Sequence, residues 1–452
     1  MCVRGAGPRK RGCGPAVVKP ESDIGFRKMK SFLLPFTTLT LLLALVVSPY
    51  VYHSKALTDL RNRYYTPPSD FRRLLKRFQQ LNAIDQVVTA EDAPILPIVY
   101  EGKQSGGEPD FTIQFGDEAL GLRKSQVVLR NPFSAASFPL SFSILYQGNL
   151  IALFEPGYFA CYQIKGLERN KQLEQQLNTK EFQYHWLLDN QLVGLSGKNY
   201  YIFSKAGRWE LYKKPVPLKN QPKIFEDERY ISCMTCDGEW GGEIYFYDKQ
   251  KHIYYLAEAT CPNSVIKKKG KYFVLSSLSH MLGFADFQQI DNPAELTRWS
   301  GKRMPQDRDF ESRRRTQLSS GRKLFNYLSV EVLSAFTLNA EQVFMVNWNG
   351  SSFLATWDNN VFSIVDPLFD DGLYAFDPVT TTYVSNLVLM NIGLNSEKPT
   401  ESSCILISGK ALVKINWTKE TISKPSPYPG KIIRSGPDML LVADSVDADV
   451  LP

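Results

Sequence analysis

Histidine is scarce in this chain, four in 452 residues, and the motifs that hydrolases and phosphotransferases use are missing. There is no G-x-S-x-G elbow, no H-E-x-x-H helix and no glycine-rich phosphate loop, so nucleophilic, zinc-hydrolytic and phosphoryl-transfer chemistry find no support. His185 lies in YHW and His252 in KHIYYL, where strand packing accounts for each; His280 is the third histidine of the body. Cysteine is sparse as well. Seven occur, and those of the body, Cys161, Cys233, Cys236, Cys261 and Cys404, are scattered apart from CMTC at 233–236. The next histidines after Cys236 stand 16 and 44 residues on, which matches no zinc-finger spacing. No metal and no cofactor is expected.

The formal charge is +7, but its distribution matters more than its sum. Residues 1–30 carry a net +6, residues 53–77 a net +5, and everything after residue 77 a net −4. A basic chain normally suggests nucleic acid. Here the basic excess flanks an apolar segment and the body is mildly acidic, so no nucleic-acid partner is expected.

That segment, FLLPFTTLTLLLALVVSPYVY from Phe32 to Tyr52, is uncharged for 21 residues, long enough to span a bilayer as a helix. Two readings compete. Read from Met29, Lys30 is a short basic region and Ser54-Lys55-Ala56 a small-x-small cleavage site, giving a signal peptide over 29–56. Residues 1–28 are then a disordered or spurious extension. Uncleaved, the segment is a membrane anchor with Tyr50 and Tyr52 at the interface. Either way the chain is expected to be membrane-anchored or exported, on the periplasmic or extracellular side.

Pro67-Pro68 and Ser69 then introduce a periodic stretch in which Phe71, Leu74, Leu75, Phe78 and Leu81 share one helical face. Arg72, Arg73, Lys76 and Arg77 take the other sides, so this short amphipathic helix packs on the main domain or lies on anionic lipid. Residues 57–139 read as a helical neck and lead-in.

From about residue 140 the texture becomes short β-rich runs separated by turn residues. Gly157, Gly197, Gly242 and Gly283, each before an aromatic strand, are spaced by 40, 45 and 41 residues. A period of that length filled with short strands marks a β-propeller blade. A single blade buries neither face alone, so blades stack around an axis. The gap of 89 residues from Gly283 to Gly372 reads as two blades, giving an all-β propeller over 140–452 with about seven blades, five or six being the alternatives.

Two segments, GGEIYFYDKQKHIYYL and DDGLYAFDPVTTTYVSNL, run from glycine through alternating aromatics into Asp and a turn. The stretch Gly372 to Pro378 resembles the strand-turn of kelch-like and quinoprotein-type propeller repeats. That resemblance implies fold, and no cofactor, since Asp377-Pro378 is followed by Val379-Thr380-Thr381 without the Thr-Gly of quinoprotein docking motifs.

Within a strand, positions i and i+3 face opposite sides, so Cys233 and Cys236 meet only across a turn. CMTCDGEWGG reads as a hairpin with structural cysteines first. Unpaired packing cysteines come first, and export would allow a disulfide, either Cys233–Cys236 or one to Cys261. Metal or redox chemistry comes last. The acidic run Asp366, Asp370, Asp371 and Asp377 lacks the alternation of an EF-hand and reads as a solvated turn rather than a calcium loop.

Residues 297–323 interrupt the repeat with nine basic side chains against three acids. Arg303, Arg308, Arg313, Arg314 and Arg315 are the candidate binding residues there, for an anionic surface on a protein or glycan. The solvated loop is the plainer alternative. Two functions are weighed: an extracytoplasmic binding module, or a glycan hydrolase, lyase or quinoprotein-like oxidoreductase acting in the central funnel.

Overall fold

The computed structural model describes residues 71–76, 78, 100–102, 111–117, 119–133, 139–279, 283–301, 304–314, 317–369, 373, 375, 377–384, 387–392 and 404–419. The apolar segment 32–52 and its signal or anchor readings lie outside these residues. Among those described, no helix is long and apolar enough to cross a membrane.

Three strands precede the ring: β1 (Tyr100–Gly102), β2 (Phe111–Phe115) and β3 (Arg123–Asn131). The first blade follows, with β4 (Ile144–Tyr146), β5 (Asn149–Phe154) and β6 (Tyr158–Gln163). The second holds β7 (Tyr184–Leu188), β8 (Gln191–Ser196), β9 (Asn199–Phe203) and β10 (Trp209–Leu211). In the third, β11 (Phe225–Glu226), β12 (Tyr230–Cys236), β13 (Gly242–Asp248) and β14 (Ile253–Glu258) are succeeded by the fourth blade's β15 (Pro262–Lys268), β16 (Lys271–Leu278) and β17 (Phe284–Ile290). An excursion then adds β18 (Thr297–Arg298) to the outer edge of blade 3 before β19 (Arg322–Leu328) completes blade 4. Blade 5 is β20 (Glu331–Leu338), β21 (Glu341–Trp348), β22 (Ser351–Asp358) and β23 (Val361–Phe369). Blade 6 is β24 (Val379–Thr382), β25 (Val388–Asn391), β26 (Cys404–Ser408) and β27 (Ala411–Lys419).

There are six blades, not about seven. The glycines that set the period, Gly157, Gly197, Gly242 and Gly283, all stand at the junction of a blade's second and third strands. In blade 5 that junction is Asn349-Gly350. The long gap after Gly283 therefore holds one blade lengthened by the 291–321 excursion.

Most strand positions are buried because both faces of a blade meet a neighbour. Six apolar clusters occupy the six spaces between successive blades, the last joining blade 6 to blade 1 through Trp417, Leu406, Phe154 and Leu150. The ring is closed by packing. Hairpins take two-residue turns with both φ angles positive, as at Asp189-Asn190 and Asn359-Asn360. Asn and Asp tolerate this left-handed conformation, and the turn's twist matches that of the strands.

Blade 1 has three strands, and the helix Lys171–Leu177 stands where a fourth would lie. Glu174 within it and Asn178 at its end complete the hydrogen bonding of β6. Asn178 accepts from the Phe159 amide (2.7 Å) and donates to its carbonyl (2.9 Å), while Glu174 accepts from the Cys161 amide (3.0 Å). Side chains thereby satisfy an edge that backbone would otherwise pair.

At the outer edges of blades 5 and 6, β2 runs parallel along β23 and β3 parallel along β27, each as a further strand. Both lie within the 57–139 segment set apart in the sequence as neck and lead-in. Residues 71–76 and 78 are helical. Phe71, Leu75 and Phe78 sit in the core between blades 4 and 5, with Phe71 edge-on to Trp348 at 4.9 Å.

Candidate functional site

Antiparallel order places the start of each blade's first strand, and each turn between its second and third strands, on one face of the ring. There the turn from β12 into β13 meets the link from blade 3 to blade 4. Gly242 permits the approach: a Cβ on it would stand 2.4 Å from the Thr235 carbonyl oxygen and 2.8 Å from that of Ala259. The Ala259 amide instead donates to the Gly242 carbonyl at 3.1 Å. Two residues further, Cys261 adopts a left-handed backbone (φ 51°), uncommon for a residue with a side chain, and forms a disulfide with Cys236.

Cys233 takes no part. It is buried between blades 2 and 3, whereas Cys236 packs between blades 3 and 4, as opposite faces of one strand require. Burial pushes the Cys233 thiol up, and the same holds for Cys161 and Cys404, so these three are poorly reactive packing residues.

Asp377, just before the first strand of blade 6, reaches the same place. The sulfurs of Cys236 and Cys261 and a carboxylate oxygen of Asp377 all lie within 4.8 Å of one another. Burial raises the Asp377 carboxyl above the usual range, and its Oδ1 has no hydrogen-bond partner among the described residues. The acidic run is therefore not a plain solvated turn. Asp366 is buried, pairing with Lys124 and accepting from the Leu122 amide at 2.9 Å, while residues 370 and 371 lie outside the described set.

The 291–321 excursion borders this mouth. After β18 it turns through Pro305–Asp307, where Gln306 donates to the Pro217 carbonyl and Asp307 pairs with Lys219. The Arg308 guanidinium then enters a buried position against both carboxylate oxygens of Glu243, stacked over Trp299 with 4.9 Å to the ring centre. Tyr245 donates to the same carboxylate. Arg313 forks onto Asp237, the residue after Cys236, through Nε and Nη2. Of the five candidate arginines, Arg308 and Arg313 thus face inward onto carboxylates of this chain. The side chain of Arg314 and residues 303 and 315 lie outside the described residues. What the sequence could not show was the pairing partner, since Glu243 and Asp237 are 65 and 76 residues away.

Beside the first strands of blades 6, 1 and 2 lies a cavity of about 20 Å³ bordered by His185, Ser143, Lys223, Tyr383 and Asn391. His185 Nδ1 is 2.7 Å from Ser141 Oγ, and burial depresses its pKa to about 3, leaving a neutral ring. Lys223 donates to the Leu187 carbonyl and to Glu226; burial lowers its pKa against the pull of that carboxylate. No carboxylate lines this cavity. His252 is elsewhere, its Nδ1 2.9 Å from the Tyr247 hydroxyl, and residue 280 lies outside the described set.

No family model and no curated protein matches the chain. Solved structures similar to it include the N-terminal domain of Nup159, 9% identical over 67% of this chain and 86% of that one, with a TM-score of 0.31. The AfRom2 CNH domain is 12% identical over 62% and 84%, with a TM-score of 0.30. The computationally designed Ika8 protein is 9% identical over 64% and 99%, with a TM-score of 0.31. At scores this low the fold rests on the chain's own strand order: six sheets packed in a closed ring make it a β-propeller.

Proposed function

We propose that this chain is a binding module, a propeller presenting an interaction surface outside the cytosol, held at a membrane or exported by segment 32–52. The observation that carries this reading is the small size of the cavity beside the first strands of blades 6, 1 and 2. A cavity of about 20 Å³ holds roughly one water molecule, whereas small-molecule sites enclose about 300–1,000 Å³. The Cys236–Cys261 disulfide suits an oxidising compartment, which supports the extracytoplasmic part.

The surface assigned to the partner, a protein or glycan, is the face around the β12–β13 turn and the excursion beside it. Trp240 at the tip of that turn is 63% exposed, and tryptophan is prominent among residues that anchor interfaces. Arg303, Arg314 and Arg315 supply the excursion's candidate contacts to an anionic partner. The test is crosslinking capture from the chain's native membrane and soluble fractions. Loss of a captured species in Trp240→Ala or in the triple Arg303→Ala, Arg314→Ala, Arg315→Ala variant supports this face; capture unchanged in both removes it.

A further inference from the structure

Beyond that reading, and independent of it, we propose that residues 438–445, DMLLVADS, add to the outer edge of β3 as an antiparallel sixth strand of blade 6. The sheet order of that blade is β24-β25-β26-β27-β3, and among the described residues no strand lies beyond β3. The Arg123 amide donates to the Lys410 carbonyl at 2.7 Å, which turns the backbone groups of the odd-numbered residues of β3 toward β27. Those of Lys124, Gln126, Val128 and Arg130 point outward, because alternate residues of a strand bond to opposite sides. Such a row is a template for a further strand. Val128, within it, is 57% exposed.

Blade 5 carries the same arrangement one strand further. Its parallel outer strand, β2, is covered by β1 running antiparallel to it, in the order β1-β2-β23. Blade 6 has the parallel strand without a described cover. The chain leaves β27 at Lys419, beside Asn131, which is the end of β3 where an antiparallel strand has to start. Residues 420–437 then lead to Asp438, with Pro425, Pro427, Pro429 and Pro437 suiting them to a connection rather than a strand. They have to cross two strand spacings, roughly 10 Å, well within their reach of about 3.3 Å per residue.

Charge fits this occupant to this edge. β3, RKSQVVLRN, has three cations and no acid, whereas 438–445 has two acids and no cation. A basic edge rejects strands of like charge and suits an acidic one. Lys124 and Arg130 are six positions apart, and so are Asp438 and Asp444. One antiparallel register therefore sets Asp438 opposite Arg130 and Asp444 opposite Lys124, which also pairs with Asp366. The same register sets Leu440 opposite the exposed Val128. It puts Met439 and Leu441 opposite Leu129 and Val127, which belong to the core between blades 6 and 1.

The experiment uses the full-length chain with Ser125→Cys and Ala443→Cys, positions that this register holds with Cα atoms about 4.5 Å apart, within reach of a disulfide. Mild oxidation and peptide mass mapping are expected to find the two linked within one chain. The link should form at least tenfold faster than in Ser125→Cys with Ala448→Cys, which lies past the register position. Equal rates, no link, or a link only between two chains, which would give the strand to a second copy, overturn the proposal. In the chain without new cysteines, the amides of Gln126 and Val128 are expected to exchange slowly with deuterium. Val442→Pro, which removes the amide facing Gln126, should speed both at least tenfold and leave Val127, bonded to β27, unchanged. Circular dichroism on each sample confirms the fold. Exchange at Gln126 and Val128 that is already fast in the parent overturns the proposal whatever the variants do.

Discussion

Arg308 and Glu243 form an ion pair with both side chains almost fully out of water, 8% and 5% exposed, 65 residues apart in the chain. The pair fastens the excursion from blade 4 onto the outer part of blade 3. Burying two charges is costly, and the attraction between them repays this only while both are present. Arg308→Met is therefore expected to destabilise the fold by about 3–5 kcal/mol, because Glu243 is left buried and uncompensated. The double variant Arg308→Met, Glu243→Leu should recover most of that loss. Urea unfolding of the two single variants and the double gives the coupling directly.

The disulfide is the covalent counterpart of that pair, tying the β12–β13 turn to the link between blades 3 and 4. It closes a loop with a sequence separation of 25. A loop of that size corresponds to about 3 kcal/mol of chain-entropy stabilisation. Cys261→Ser should lower stability by that order, and Cys233→Ser, which breaks no bond, should act only through packing. Unfolding midpoints with and without reductant separate the two.

These two links also show what the sequence yielded and what it withheld. The glycine period was legible because a glycine stands at the junction of the second and third strands in each of blades 1 to 5. The blade count was not, because the excursion at 291–321 lengthens one period until it resembles an extra blade. The opposed faces of Cys233 and Cys236 followed from strand geometry alone. The partner of Cys236 did not, since it depends on how closely the Ala259–Cys261 link passes Gly242. The arginine run was visible as charge, but charge does not disclose that Arg308 and Arg313 turn inward onto Glu243 and Asp237.

Acid stability provides a third test. His185 has a pKa depressed to about 3 by burial, against an ordinary value of 6.5. The unfolded chain takes up a proton at this histidine before the folded one does, so its contribution is full above about pH 6.5 and is lost as pH falls toward 3. Asp286, Glu331, Asp366 and Asp377 are raised by burial and act in the opposite sense, gaining as pH falls through their folded values. His185→Asn, which can still bond Ser141, should flatten the acid limb of stability against pH between about 6.5 and 3. A limb as steep as the parent's would remove His185 from the account.

Polar contacts also cross the seam between blades 6 and 1. Asn391 of blade 6 accepts from the Ser143 amide (2.8 Å) and donates to its carbonyl (3.0 Å), just before blade 1 begins. Asn391→Ala leaves both buried backbone groups unpaired, at about 1–3 kcal/mol each. The variant is expected to lose stability on that scale and to show faster amide exchange at Ser143. Exchange unchanged at Ser143 would mean that apolar packing alone holds the seam.

The parallel pairing of β3 with β27 sets Arg123 beside Ala411 and Asn131 beside Lys419. Of the described strands, one of the first to leave the ribosome thus finds its partner in the last. Until then β3 must wait, and an unpaired edge is a template for joining the wrong chain. Synthesis rate and holding factors near the exit tunnel therefore bear on the yield of this protein more than on one whose blades each close from adjacent sequence.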